Sequence, residues 1–286
     1  MFQPAVPAHQ AADVKMENKN DSRGDDPMQD MLQQEQAVPS FPTIRNVPIQ
    51  AAFRWLHLAL RDIRRAPFPC LFYGVVFSLM GLLLHWMFVA APHQTITLAT
   101  GFMLVGPFLA MGLYETSRRL EAHEQVSLLT TLTAWRNNLS GIGLFAMILA
   151  LMFAGWMRVS VVVFALFYTD QIPTLDSMLS TTFFTEDNLS FLLVYFSSGF
   201  IFALLVFAIS VVSIPMLLDR DGDTLIAIFT SSLAMWRNPA AMTVWGLIVV
   251  SACLIGFLTY YIGLIITMPI IGLASWHAYR DLVDQL

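Results

Sequence analysis

Residues 139–168 read LSGIGLFAMILALMFAGWMRVSVVVFALFY and contain a single charged side chain, Arg158. A helix needs about 20 consecutive, mostly apolar residues to cross the hydrocarbon core of a bilayer. This stretch exceeds that length, so it predicts a transmembrane helix that tilts or projects beyond the hydrocarbon.

Further apolar tracts of similar length lie on both sides of this stretch. Together they predict a polytopic, all-α membrane bundle with six transmembrane helices. The predicted spans cover about residues 68–90, 95–114, 139–168, 189–218, 240–258 and 261–278. The last two divide one apolar stretch, and we expect a turn around Thr259, Tyr260 and Tyr261. One very long tilted helix is the alternative, and it would place the C-terminus on the other side.

The composition supports membrane residence. Hydrophobic residues make up 57% of the chain and charged residues only 12%, whereas a soluble domain carries about 25% charged residues. No basic stripe is interleaved with aromatic residues, so we expect no nucleic-acid partner. Cys70 and Cys253 both lie in apolar tracts without metal or CxxC spacing, which predicts buried, inert thiols.

Residues 1–50 are rich in Gln, Pro, Asp and Asn and contain no apolar signal-peptide core. Such a segment buries too little apolar surface to offset its ordering entropy. We therefore expect a disordered cytoplasmic tail at 1–50, followed by a membrane domain at 51–286.

Basic residues in short loops are retained in the cytoplasm. Six spans place these residues on one side, with both termini cytoplasmic: Arg54, Arg61, Arg64, Arg65, Arg118, Arg119, Arg136, Arg220, Arg237 and Arg280. A five-span arrangement would leave Arg280 outside, which favours six.

Two segments that precede spans resemble each other: TTLTAWRNN at 130–138 and SSLAMWRNP at 231–239, with a looser copy, LRDIRRAP, at 60–67. This pattern predicts three parallel helical-hairpin repeats, each starting with an amphipathic helix. In the bilayer interface, such helices would be anchored by Trp55, Trp135, Arg136, Trp236 and Arg237. Alternatively, they are the cytoplasmic starts of long spans.

The even-numbered spans each contain a proline near the cytoplasmic end: Pro107, Pro215 and Pro269. Proline removes one helical hydrogen bond and frees the carbonyl four residues earlier. We therefore expect helix kinks at these positions. Such a kink either only bends the helix or acts as the hinge of a gate.

Two runs, GPFLAMGLYETSRRLE at 106–121 and MPIIGLASWHAYRDL at 268–282, resemble a bacterial family of predicted integral membrane proteins, the domain-of-unknown-function family 2189. The resemblance covers roughly residues 50–286. It implies a multi-pass protein of the bacterial inner membrane. The family has no established activity, although some members carry a cytochrome c oxidase-like label.

The oxidase label implies a bound haem, and the positions of the histidines test whether one could be ligated. A haem inside a bundle needs axial ligands that face one another at one depth. His85 and His277 stand at opposite ends of their predicted spans, separated by most of a roughly 30 Å core. We therefore expect no haem and no intrinsic oxidase activity, while an accessory role beside an oxidase stays open.

Two sets of charged residues are candidate sites. Arg158 either extends to lipid phosphates or meets a buried partner or anion; the candidate partners are Asp170, Glu186 and Asp187. The second set lies at the cytoplasmic ends of the even spans: Glu115, Arg118, Arg119, His277, Tyr279 and Arg280. It is either ordinary interfacial charge or a pocket for a lipid headgroup or small anion.

The sequence contains no P-loop, GxSxG or HExxH motif, and the acidic turn at 219–223 lacks EF-hand spacing. We therefore expect no catalytic residue, cofactor or metal site. The first functional expectation is a non-enzymatic scaffold or accessory component that contacts lipid and other membrane proteins. The alternative is a transporter or channel for a small or amphipathic solute, and a membrane enzyme comes third.

Overall fold

The structure, a computed structural model, describes residues 42–90, 92–167, 186–220 and 222–284. These ranges are almost entirely helical, which confirms the predicted all-α fold. The α-helices are α1 (Ala51–Arg65), α2 (Pro67–Ala90), α3 (Pro92–Glu121), α4 (Leu128–Leu132), α5 (Leu139–Phe167), α6 (Glu186–Ser210), α7 (Ser213–Asp219), α8 (Thr224–Arg237), α9 (Pro239–Leu258) and α10 (Leu264–Leu282). A short 3₁₀ helix, Ala134–Asn138, lies between α4 and α5.

Four segments of the described chain have the length and apolar composition of a membrane span. They are α2, α5, α9 and the segment Leu189–Asp219, which contains most of α6 and all of α7. Their bounds lie within one residue of four predicted spans. The predicted span 95–114 falls within α3, and the predicted span 261–278 overlaps α10 from Leu264 onward; neither helix is among these four.

Helix α10 lies at the centre of the bundle and packs against α1, α2, α3 and α9. Leu273, Ala274 and Tyr279 in its second half are completely buried. A helix covered by neighbouring helices needs no continuous apolar surface toward lipid. This explains why α10 tolerates a polar C-terminal half.

The apolar stretch 240–278 forms two helices, α9 and α10, and the single tilted helix considered above is wrong. The chain reverses at the predicted residues, where Tyr260 and Tyr261 adopt positive φ angles of 51° and 65°. Thr259 Oγ1 accepts a hydrogen bond of 2.9 Å from the backbone N–H of Gly263. This contact closes the turn.

Pro269 stands inside α10 and cannot donate to the carbonyl of Ile265. That carbonyl points at Gly74 of α2 and stands where a Cβ atom of residue 74 would lie. Glycine at position 74 therefore lets the two helices approach closely at the carbonyl that the proline releases.

Near Pro215 the helix is interrupted, since α6 ends at Ser210 and α7 begins at Ser213. The buried Ser231 of α8 fills the break. Its hydroxyl donates to the carbonyl of Ala208 at 2.7 Å and accepts from the N–H of Val212 at 3.2 Å. A side chain thus replaces the helical hydrogen bond between residues 212 and 208, a known cause of helix bending.

Pro107 lies in α3, which continues as a helix through that position. Its predicted kink is therefore not accompanied by a helix break of the kind found before Pro215.

Helix α5 packs against both α3 and α6, and its contact with α6 is made by aromatic side chains. Trp156 and Tyr195 have ring centroids 5.3 Å apart, and Phe164 lies 5.0 Å from Phe191. Large apolar side chains on their outer faces are exposed, including Leu151, Val161, Phe196 and Phe200. The pair therefore presents an apolar surface suited to lipid or to another membrane protein.

Candidate functional site

Ionisable and aromatic side chains from four helices converge around the C-terminal half of α10. We call this set the polar end; it comprises Asp62 of α1, Glu115 and Glu121 of α3, Asp219 of α7, and His277, Tyr279 and Arg280 of α10. The helices bring these residues together because α10 packs against α1, α3 and α7 at this level.

Glu115 is a buried carboxylate that binds two arginines of its own helix. Arg118 donates to its two oxygens at 2.6 and 2.8 Å, and Arg119 donates at 2.6 Å. Spacings of three and four residues place these side chains on one helix face. The hydrogen bond to Glu115 raises the pKa of Arg118, so this guanidinium keeps its charge.

Asp62 connects three helices from a buried position. One of its oxygens accepts a hydrogen bond of 2.7 Å from Ser117 on α3 and lies 2.8 Å from Nε2 of His277 on α10. A buried carboxylate is stable only when it is paired and hydrogen-bonded, and both partners come from other helices. Asp62 therefore ties α1 to α3 and α10.

Glu121 joins the end of α3 to α10. Trp276 donates its indole N–H to one oxygen at 3.0 Å, and Arg280 donates to the other from Nε at 3.0 Å and Nη2 at 2.8 Å. The two oxygens of Glu121 are thus held by two different residues of α10. This arrangement fixes the register of α10 against α3.

Tyr279 connects α10 to the residues that end α7. Its hydroxyl donates to Asp219 at 2.7 Å and accepts from Nε of Arg220 at 3.2 Å. Burial, followed by the hydrogen bond to Asp219 and its negative charge, raises the pKa of Tyr279. The phenol is therefore neutral at physiological pH and serves as a donor.

The extended segment 42–48 closes the polar end from outside. Ile44 forms a β-bridge with Val283, and the backbone N–H of Arg45 donates to the carbonyl of Leu282 at 2.8 Å. Asn238 donates to the carbonyl of Arg45 at 3.0 Å and accepts from the N–H of Val47 at 2.8 Å. The start of the described chain is thereby held against its end.

Every member of the predicted second charged set lies in or beside the polar end. The structure places Arg118, Arg119 and Arg280 against carboxylates rather than around an open anion pocket. Asp62 and Glu121 were not among the residues predicted from the sequence, and Asp219 was predicted only as part of an acidic turn. One available signal was the presence of acidic residues at the borders of apolar tracts, where each needs a partner.

The predicted interfacial anchors occupy different environments. Trp55 differs from the prediction, because its side chain is fully buried against Trp245 and donates to Asp281 at 2.8 Å. Trp135 is half-buried, with Arg136 over its ring. Trp236 is 86% exposed, and Arg237 lies 3.5 Å from the carbonyl oxygen of Ile44.

Arg158 is exposed on α5. The partners proposed for it cannot be assigned, since Asp170 and the side chains of Glu186 and Asp187 lie outside the described part of the structure.

The two border histidines lie at opposite ends of the bundle. The ring of His85 is 5.7 Å from that of Tyr261 in the α9–α10 turn, whereas His277 contacts Asp62. Thirteen residues of α10 separate Leu264 from His277, a rise of about 20 Å. Within the described ranges, no three His, Cys, Asp or Glu side chains are grouped to hold a metal ion.

No curated protein and no solved structure is detectably similar to the chain. Residues 95–219 match the model of a family described as "Predicted integral membrane protein (DUF2189)". The match includes the run at 106–121 and excludes the run at 268–282, so it is narrower than the resemblance inferred from the sequence. The chain, with several apolar helices of membrane-spanning length, is thus an integral membrane protein that is similar, over residues 95–219, to the family DUF2189.

Proposed function

We propose that the protein is a non-enzymatic scaffold or accessory component of complexes in the bacterial inner membrane. The observation that supports this role best is the internal pairing of the polar end. Glu115, Asp62 and Glu121 each engage partners within the protein. Charges paired in this way stabilise a helical platform, and they are not arranged around a substrate cavity.

In this proposal the chain crosses the bilayer six times, as three hairpins with both termini cytoplasmic. Helix α10 is antiparallel to α9 through the turn at 259–263, so a crossing by α9 requires a return by α10. Its polar second half would then lie at the cytoplasmic interface. The arginines of the polar end and of α1 would lie there too, as the distribution of basic residues in membrane proteins requires.

The partner surface would be the outer face of α6. Leu189, Leu193, Phe196 and Phe200 follow one another at helical spacing and are all exposed. Aromatic side chains are enriched where proteins bind one another. A membrane partner could therefore pack here without rearranging the bundle.

Co-purification from native membranes tests the scaffold role. The tagged full chain is extracted with its surrounding lipid in polymer-bounded discs, and the same is done for F196A/F200A and for a control, L79A/L83A, on the exposed face of α2. We expect a stoichiometric protein partner with the unmodified chain and the control, and its loss with F196A/F200A. If no partner is recovered with the unmodified chain, the proposal fails.

The second candidate is a transporter or channel, which the helix interruption at residues 211–212 favours because a broken helix can act as a hinge. The described grooves weigh against a polar path. The one on α6, for example, is lined by Leu189, Leu192, Leu193, Phe196, Ser197, Phe200 and Ile201. Solute flux into proteoliposomes that is abolished by S231A would establish transport and displace the scaffold proposal.

A further inference from the structure

Helices α1, α9 and α10 line an open groove that the sequence did not predict. Its lining includes Leu56 and Leu60 of α1, Ile248 and Ser251 of α9, and Thr267 and Ile270 of α10. The groove is almost entirely apolar, and it is open to the surroundings of the bundle.

The length of the groove matches one leaflet of a bilayer. It follows α9 from Val244, near α1, to Ile255, near the turn at 259–263. Eleven residues of helix rise about 16 Å, and half of a roughly 30 Å hydrocarbon core is about 15 Å. An acyl chain from the leaflet next to α1 would fill the groove.

Unpaired positive charge lies at the α1 end of this groove. Arg61, Arg64 and Arg65 are exposed, and none forms an ion pair or hydrogen bond within the described ranges. Arg64 stands one turn after Leu60 on the same face of α1, and Arg61 follows Leu60 directly. Both guanidinium groups can therefore reach a phosphate whose acyl chain passes Leu60.

The pairing of other arginines makes this set distinctive. Arg118 and Arg119 are bound to Glu115, and Arg54 to Asp281. A phosphate at those arginines would have to displace a carboxylate. At Arg61 and Arg64 it would instead gain contacts to guanidinium groups, which bind phosphate oxygens in a bidentate geometry.

We propose that this groove is a binding site for an anionic phospholipid. The acyl chain lies between α9 and α10, and Arg61 and Arg64 hold the phosphate. This inference depends on the membrane location of the bundle but not on the scaffold role, because a lipid can bind whether or not a protein partner does.

Native mass spectrometry of the detergent-solubilised full chain tests the headgroup site, with phosphatidylglycerol and phosphatidylcholine as probes. We expect preferential binding of phosphatidylglycerol, and a roughly tenfold weaker affinity for it in R61Q/R64Q, since each arginine near a membrane surface contributes to anionic-lipid binding. The matched control R45Q/R54Q removes the same charge at arginines that are already bound to Asp284 and Asp281, and it should retain the preference.

A second pair of variants tests the acyl-chain site. Ala252 lines the groove, so A252F should fill it and weaken the binding of both lipids. The control is V250F, because Val250 is exposed on the same helix outside the groove, and this variant should bind both lipids normally. Size-exclusion profiles and melting temperatures show whether each variant is folded. If a folded A252F binds lipid normally, or if R45Q/R54Q loses affinity as R61Q/R64Q does, the proposal is wrong. Displacement of phosphatidylglycerol by inorganic phosphate alone would show that the site binds free anion instead of lipid.

Discussion

The carbonyl oxygen of Ile265, which Pro269 leaves without its helical donor, stands where a Cβ atom of residue 74 would lie. Gly74 of α2 and Pro269 of α10 therefore form a matched pair. The proline exposes a carbonyl, and the glycine supplies a backbone surface that can approach it. A weak Cα–H···O contact at such helix crossings adds to the packing.

This pairing predicts that G74A destabilises the protein by about 1–3 kcal/mol, the usual effect of forcing an extra methyl group into a packed core. The control is G143A in α5, where an added Cβ meets nothing within 4 Å. Thermal unfolding in detergent micelles measures both. Equal melting temperatures for G74A and the unmodified protein would show that α2 and α10 are not in close contact.

The hydroxyl of Ser231 bridges the interrupted helix before Pro215, so S231A should leave the N–H of Val212 and the carbonyl of Ala208 without partners. An unpaired buried polar group costs about 1–3 kcal/mol. The neighbouring S232A removes only a hydroxyl bonded to Ile228 of its own helix and should change stability little. Chemical unfolding of the two variants compares them directly, and an S231A variant as stable as S232A would contradict the bridge.

Glu115 should be the most important carboxylate of the polar end, because it alone holds both Arg118 and Arg119. E115Q leaves the partly buried Arg118 without its carboxylate and Arg119 with only Glu124 at the surface. We expect a loss of roughly 1–3 kcal/mol after allowing for their partial exposure. E124Q is the control, since Glu124 binds Arg119 at the surface. The midpoint of denaturant unfolding measures the difference. A smaller effect of E115Q than of E124Q would exclude a structural role for the buried pair.

The raised pKa of Tyr279 predicts a pH-dependent stability. The folded protein holds the phenolic proton more tightly than the unfolded chain, whose tyrosines titrate near pH 10. This contribution is therefore complete below about pH 10 and is lost as the pH rises further.

Melting temperatures at pH 8 and pH 10.5 test this titration. The unmodified protein should lose more stability between these values than Y279F, which cannot ionise there. Y260F, at an exposed position in the α9–α10 turn, should behave like the unmodified protein. An identical pH response in all three proteins would show that other groups cause the loss of stability at alkaline pH.

Much of the helical architecture could be predicted because the signal is local. A tract such as 139–168 is apolar over its whole length, and its helix, Leu139–Phe167, ends one residue from the predicted bound. The reversal at Tyr260 and Tyr261 was predictable from the length of the apolar stretch. The similarity between 130–138 and 231–239 was less informative, because the first forms two short helices and the second ends a 14-residue helix.

Only part of the candidate site could be predicted from the sequence. Glu115, Arg118 and Arg119 lie within five residues of one another, and helical spacing places them together. Asp62 and His277 are 215 positions apart along the chain, and no local pattern brings them together. Trp55 was assigned to the interface for the same reason, since its burial depends on Trp245 and Asp281.

The amino-acid sequence by itself determined that the chain forms apolar helices long enough for a bilayer, because the transfer of each segment into lipid depends on that segment's own composition. Only the tertiary structure decided that α10 is the central helix, that the arginines of α3 are bound to Glu115, and that Arg61, Arg64 and Arg65 of α1 have no partner within the described ranges. These outcomes depend on contacts between distant segments, and a buried charge is stable only where another helix supplies its partner.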